Sequence, residues 1–338
     1  MTLLDRCRAR LARLDRRVVL PEAHDPRVLH AARRLRDEGV LQPVLIGAAA
    51  AVTEAAATAG VVLGDLEIID PASSPHSDGL AAAYLEARPD SRPEIARRLV
   101  RKPLFHAGLM LRSGHVDGMV AGADSPSARV IEAAMMTVGT ATGITTPSSC
   151  FLMGFDAAEA RPEELLFADC ALNIDPDPSQ LADIAIASAE TWQALQERPA
   201  RVAFLSFSTH GSGKHPAVDR VVEALAFARA RRPDLLFEGE LQADAALSER
   251  IACKKLGAVG AVAGRANVLV FPGLEAANIA YKLVQYLAGA RATGPLLQGF
   301  ARPVSDLSRG ATADDIVETA ILTLARAVHG QPRSAIDR

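Results

Sequence analysis

Ser308 and Arg309 stand side by side in a stretch suited to chemistry on an anion, followed by Gly310, Thr312, Asp314 and Asp315. Residues 294–315 read Gly-Pro-Leu-Leu-Gln-Gly-Phe-Ala-Arg-Pro-Val-Ser-Asp-Leu-Ser-Arg-Gly-Ala-Thr-Ala-Asp-Asp: a strand-like start, a loop, and a helix opening after Gly310. A helix N-terminus fed by a loop attracts anions, because its first amide N–H groups lack intrahelical partners and the helix dipole favours negative charge. Arg309 adds a planar donor fork that matches phosphate. The expected ligand is a phosphorylated small molecule held near the Ser308 hydroxyl. For Asp315, spacing alone favours a cap over a catalytic role, because it pairs with Thr312 as capping residues do and acids suit a helix N-terminus.

Two further strand-to-helix turns carry candidate ligand groups. Gly118-Met-Val-Ala-Gly-Ala-Asp-Ser-Pro126 brings small residues that permit close backbone approach, with Ser125 placed to cap the next helix or to meet a phosphate. Its bland reading is a plain strand–cap–helix joint. Ser206–Pro216 gathers hydroxyls, glycines and a lysine, a phosphate nest built from Ser208, Thr209, Ser212 and Lys214. It is not a Walker loop, since Ser208 and His215 stand where that motif needs Gly and a hydroxyl residue. Its bland reading is a flexible surface loop. Glu238, Glu240, Gln242 and Asp244 follow a short strand and either line a cleft or cap a helix.

No metal site is expected. The histidines lack metal spacing, and only His210 and His215 lie in a candidate loop. Asn173, Asp175 and Asp177 alternate as in a calcium loop, but Pro176 and Pro178 interrupt them and the required Gly is missing. Asp177 is read as the cap of a helix opening at Pro178. The four cysteines, Cys7, Cys150, Cys170 and Cys253, are far apart and read as reduced thiols of a cytoplasmic protein.

The elements that must position these residues alternate. Strand-like runs occur at Arg17–Leu20, Pro43–Ile46, Leu66–Ile69, Val116–Ala121, Ser148–Met153, Leu165–Ala168, Val202–Phe207 and Val268–Phe271. Helical patterns separate most of them: Asp25-Pro26 opens one to about Glu38, and others cover Pro103–Arg112, Pro178–Leu195, Pro216–Ala230 and Glu275–Leu287. Ser91 and Glu94 have capping-box spacing, and an amphipathic helix is expected at the N-terminus. Such alternation implies a mostly parallel sheet covered on both faces. A length of 338 residues suits about two domains. The Gly-, Thr- and Pro-rich stretch 139–147 is the hinge candidate. A net charge of −3 argues against nucleic acid as a partner, and no apolar run approaches the ~18 residues of a membrane span.

Taken in order, the chain's motifs resemble the phosphate acetyl/butyryltransferase family, in its short phosphate acetyltransferase form. The marks are Val-Leu-Pro-Glu-Ala-His-Asp-Pro-Arg27, Asp117-Gly-Met-Val-Ala-Gly122, Phe167-Ala-Asp-Cys170 with Asn173 and Asp175-Pro-Asp177, and Ala187-Ser-Ala-Glu190. Further on come Leu205-Ser-Phe-Ser-Thr-His-Gly-Ser-Gly-Lys214, Glu238-Gly-Glu-Leu-Gln242 with Asp244, Ala266-Asn-Val-Leu-Val-Phe-Pro272, Leu297-Gln-Gly299 and Asp306-Leu-Ser-Arg-Gly310. The resemblance implies two three-layer α/β/α domains with mostly parallel sheets and a dehydrogenase-like layout. Residues 1–143 plus 295–338 would form the first domain, and 144–294 a second, inserted one, with the cleft between them.

The activity implied is reversible acetyl transfer between acetyl phosphate and coenzyme A with release of phosphate, in a homodimer, with coenzyme A as substrate and no tightly bound cofactor. By the same resemblance Ser308 hydrogen-bonds the thiol and Arg309 steadies the acyl phosphate. Asp315 is the base, which overrides the capping preference, although both roles can coexist. Arg88 contacts coenzyme A. A second coenzyme-linked arginine of the family is Glu132 here, and Arg129, one turn earlier on nearly the same face, is the candidate replacement. A simple thiol has a pKa near ~8.5 and a carboxylate one near ~3.9, so full proton transfer would cost about 6 kcal/mol. This calls for a carboxylate tuned by its surroundings, or for transfer concerted with attack. The competing readings are transfer of a longer acyl group, a metal- and nucleotide-dependent decarboxylating dehydrogenase, and a non-catalytic acyl-phosphate- or coenzyme-A-binding relative.

Overall fold

The computed structural model describes residues 2–155 and 164–327. These form two compact units, one ending at Ala141 and resuming at Phe300, the other spanning Thr142–Gly299.

The first unit opens with α1 (Leu3–Leu11), β1 (Arg17–Leu20), α2 (Pro26–Asp37), β2 (Gln42–Ile46), α3 (Ala49–Ala59) and β3 (Glu67–Ile69). It continues through α4 (Ser77–Ala87), α5 (Pro93–Val100), α6 (Pro103–Arg112), β4 (Gly118–Ala121) and α7 (Ser127–Thr137). The second contains β5 (Ser148–Gly154), β6 (Glu164–Ala168), α8 (Pro178–Gln196), β7 (Arg201–Leu205), α9 (Pro216–Arg231) and β8 (Leu236–Leu241). After these come α10 (Ala243–Leu247), α11 (Glu249–Leu256), β9 (Val268–Val270), α12 (Leu274–Ala288) and β10 (Arg291–Gln298). The first unit closes with β11 (Val304–Asp306) and α13 (Ala313–Ala327).

In the first unit the strands run parallel in the order β3-β2-β1-β4-β11. Val18, Val19, Leu20, Val44, Leu45 and Ile46 are buried, the unbroken apolar character of strands covered on both faces. Helix α2 shows how local chemistry sets the register. Asp25 is its N-cap and accepts the Arg27 amide, Pro26 fills the first helical position, and Val28, Leu29, Ala32 and Leu35 recur on the buried face.

The second unit orders its strands β10-β5-β6-β9-β7-β8. β5 is antiparallel to β10 and β6, whereas β6, β9, β7 and β8 pair in parallel. Phe151, Met153, Phe167, Leu205, Leu269 and Phe271 lie in its core, with the Phe151 and Tyr281 rings stacked at 4.4 Å.

Four local readings change, the first being Glu238 and Glu240, which lie within β8 rather than after a strand. Ser91 and Glu94 form no capping box: Pro93 takes the first helical position of α5, so Arg92 is the N-cap, without a side-chain cap bond. Helix α7 begins after Pro126, so Ser125 lies before the cap. Val304–Asp306, read as loop, is strand β11, paired in parallel with β4. Its Ser305 hydroxyl meets Thr323 of α13 at 2.6 Å in the interior.

Candidate active site

β1, β4 and β11 are parallel neighbours, so the turns at their carboxyl ends lie side by side, where open α/β sheets bind ligands. The turn after β11 carries Ser308 and Arg309. Both are exposed. Ser308 shapes the turn: its carbonyl accepts the Ala311 amide at 2.8 Å and its hydroxyl the Gly310 amide at 3.3 Å. Among the described residues the Arg309 guanidinium has neither ion-pair nor hydrogen-bond partner, whereas its carbonyl accepts from Arg27 at 2.7 Å.

Asp315 is exposed at the third helical position of α13 and closes a capping box. Its Oδ2 accepts the Thr312 amide and hydroxyl, each at 2.8 Å, and its own amide donates to the Thr312 hydroxyl at 3.2 Å. The capping geometry read from spacing is therefore present, and it engages one carboxylate oxygen.

The turn after β4 is not an open nest. Glu22, which follows β1, is 3% exposed. Its carboxylate accepts the amides of Gly122 (2.8 Å), Ala123 (2.7 Å), Asp124 (3.2 Å) and Ser125 (2.7 Å). Gly122 is required there: its φ is +106°, and a Cβ would lie 2.3 Å from Asp306 Oδ1. Asp306 ends β11 and receives the Ser127 hydroxyl, which ties the start of α7 to the Ser308 turn. Burial raises its pKa, and the Glu22 charge adds to that. Hydrogen bonds from Ser127 and the Leu307 amide oppose them, and the result is about 6.

Arg88 and Arg129 both relate to α7. Arg88 donates to the carbonyls of Met135 (Nη2, 2.9 Å) and Met136 (Nε, 3.1 Å), closing the C-terminal end of that helix. Arg129 is exposed in its first turn, with Glu132 exposed one turn later.

The loop after β7, in the second unit, has the same construction as the β4 turn. Ser208 is fully buried and Thr209 is 7% exposed. The Ser208 hydroxyl and the Gly211 amide both donate to Glu240 Oε1 at 2.7 Å. Thr209 receives the Gln242 amide at 3.0 Å. Burial would raise the Glu240 pKa, but these donors outweigh it and the pKa falls below the usual carboxylate value. Ser212 accepts the Thr209 amide at 2.9 Å, and both Ser212 and Lys214 are exposed. His215 caps α9 through Nδ1, and His210 Nε2 lies 3.8 Å from Glu238. Asp177 caps α8 in a box with Gln180.

The structure thus gathers Ser308, Arg309, Asp315 and Ser125 at one edge of the first unit. Ser208, Thr209, Ser212 and Lys214 lie in one loop of the second. Sequence reasoning assigned no role to Glu22, Arg27, Asp306 or Ser127. A glutamate and an arginine stand inside Pro-Glu-Ala-His-Asp-Pro-Arg27, but nothing local shows that Glu22 and Arg27 also reach backbone groups about a hundred or more residues away.

An α/β protein with an exposed serine–arginine turn at the carboxyl edge of a parallel sheet is the class that fold and site define. The profile described as phosphate acetyl/butaryl transferase matches residues 2–324. A phosphate acetyltransferase of Clostridium acetobutylicum is 41% identical over 318 residues, spanning 93% of this chain and 95% of that protein. A solved phosphotransacetylase from Streptococcus pyogenes aligns with a TM-score of 0.90 at 39% identity, covering 97% of this chain and 100% of its own. A 4-hydroxythreonine-4-phosphate dehydrogenase from Klebsiella pneumoniae shares the fold alone, with a TM-score of 0.55 at 12% identity over 93% of this chain and 99% of its own. The chain belongs to the phosphate acetyl/butaryl transferase family.

Proposed function

We propose that this chain transfers an acetyl group reversibly between acetyl phosphate and coenzyme A, releasing phosphate. The observation that carries this reading is the Ser308–Arg309 pair, exposed on a turn whose backbone is held while the guanidinium remains available. In this reading the Ser308 hydroxyl hydrogen-bonds the coenzyme A thiol. Arg309 neutralises the acyl phosphate and stabilises the oxyanion and leaving phosphate, a kind of contribution typically worth ~10²–10³ in rate. The thiol sulfur attacks the carbonyl carbon, the carbon–oxygen bond to phosphate breaks, and Asp315 takes the thiol proton. Oδ2 of Asp315 is engaged by Thr312, so Oδ1 is the atom that accepts it.

Arg88 and Arg129 serve coenzyme A phosphates. Arg88 Nη1 takes no part in the bonds to α7 and remains available for that contact. Ser125, Ser212 and Lys214 serve the phosphate groups, while Ser208 and Thr209 shape their loop. The chain works as a homodimer, which the exposed apolar stripe of Ile279, Leu283, Tyr286 and Leu287 on α12 supports. Its place is the cytoplasm, which the free thiols suit.

The test is thioester formation from acetyl phosphate and coenzyme A, with propionyl and butyryl phosphate alongside. Fastest turnover with the acetyl donor is expected. Absence of acetyl-CoA would refute the activity, and a higher rate with butyryl phosphate would move the chain to longer acyl groups.

A further inference from the structure

Arg27 has five N–H donors, and all five are engaged. Nη1 donates to the carbonyls of Arg309 (2.7 Å) and Ala311 (2.8 Å). Nη2 donates to the Ala123 carbonyl and to Asp25 Oδ2, each at 2.6 Å, and Nε to Asp25 Oδ1 at 3.1 Å. The fork thus joins three chain segments: the N-cap of α2, the β4 turn that Glu22 fixes, and the turn that presents Ser308 and Arg309. Two of these are rigid anchors. Asp25 is committed to the cap and its side chain is only 11% exposed, and Ala123 is bonded through its amide to Glu22. The third is the turn 308–310, whose residues are all exposed.

Resting on the acetyl-transfer reading, we propose that Arg27 is a positioning residue. Its guanidinium, aligned by Asp25 and Ala123, holds the Arg309 and Ala311 carbonyls so that Ser308 and Arg309 meet the substrates in a fixed geometry. Arg27 touches the backbone of the turn, so its loss leaves the Arg309 side chain in place but mis-aimed. Misplacement by about 1 Å can cost ~10² in rate. Lysine cannot substitute, because one ammonium point charge does not span three carbonyls and both oxygens of the Asp25 carboxylate.

The experiment compares wild type with R27A, R27K and R27Q by steady-state kinetics, thermal melts and amide hydrogen exchange. For R27A, kcat is expected to fall ~10²-fold with KM for both substrates within ~3-fold, the mark of lost alignment rather than lost binding. Exchange should quicken at residues 308–312 and stay unchanged elsewhere. Added methylguanidine should restore part of the R27A rate, while R27K and R27Q stay low. A kcat within ~2-fold of wild type in a folded variant overturns the proposal. So does a loss that merely follows a global fall in melting temperature, with exchange rising throughout. If wild type itself makes no acetyl-CoA, the activity reading fails, and exchange at 308–312 alone decides the role of Arg27.

Discussion

Replacing Asp306 by Asn removes a charge from a place that resists it. The residue is 2% exposed, and its Oδ1 is buried without a hydrogen-bond partner. Burial first, and the Glu22 carboxylate second, raise its pKa from 3.8 to about 6, even against the Ser127 and Leu307 hydrogen bonds. The folded protein therefore binds this proton more tightly than the unfolded chain does. The contribution to stability is full below pH 4 and is lost as the pH rises through about 6. A rise from 3.8 to about 6 corresponds to about 3 kcal/mol.

In Asp306→Asn the penalty at neutral pH disappears, because the amide carries no charge. Urea unfolding of both proteins between pH 4 and pH 8 measures this. The stability of the variant minus that of wild type should grow by about 2–3 kcal/mol from pH 4 to pH 8, with most of the change between pH 4 and pH 6. Taking the difference cancels the titration of every group that behaves alike in both proteins. In a Glu22→Gln background the same step should move to lower pH, because the repelling charge is gone. A difference that stays flat across the range refutes the account of a buried, charge-resisting carboxyl at the end of β11.

Glu22→Gln itself should cost about 3 kcal/mol, since an amide can accept on one oxygen only and strands two of the four amides of the β4 turn, each bonded to a charged group. An unfolding midpoint equal to that of wild type would show that the turn does not depend on the carboxylate. Arg309→Ala should lower kcat by ~10²–10³ while circular dichroism and melting stay as in wild type; near-normal turnover removes it from the mechanism. Asp315→Asn should lower the rate more than the stability, because a lost cap costs only ~1 kcal/mol. A lower melting temperature at unchanged rate makes Asp315 a cap alone. Raising KCl from ~10 mM to ~300 mM should raise KM for acetyl phosphate several-fold, since exposed cations are screened and buried amide nests are not. A salt-independent KM would place the anion in a desolvated nest.

Much of the fold was legible because its signals are local. Arg17–Leu20 and Pro103–Arg112 have the bounds read from apolar runs and from a proline at a helix start. β11 was not legible: its three residues carry Ser305 and Asp306, which look like loop until α13 and α7 bury them. Ser91 misled because capping-box spacing ignores the stronger constraint of Pro93 at the first helical position. At the site, Ser308, Arg309 and the Thr312–Asp315 cap could be read as neighbours in sequence. Glu22, Arg27 and Asp306 act across separations of 100 or more residues, so their partners emerge only once parallel strands bring distant turns together.

Glycine- and hydroxyl-rich turns read as phosphate sites because unpaired amides are what a phosphate needs. In this chain several such amides already have an anion. Glu22 takes those of residues 122–125, Glu240 takes Gly211 and the Ser208 hydroxyl, and Asp169 takes the amides of Ser149, Ala171, Leu172 and Asn173. A substrate phosphate entering any of these would strand a buried carboxylate, a loss of about 3–5 kcal/mol for a buried charge without its partner. Under the proposed acetyl-transfer reading, substrate anions fall instead to exposed cationic side chains outside those networks, Arg309 above all. The carboxylate-filled β4 turn then acts as a rigid frame rather than as a cradle: Glu22 fixes it, and its Ala123 carbonyl aligns Arg27 against the Arg309 turn. Rigidity of the frame is what an exposed arginine lacks by itself, since its long side chain carries about 2 kcal/mol of rotamer entropy.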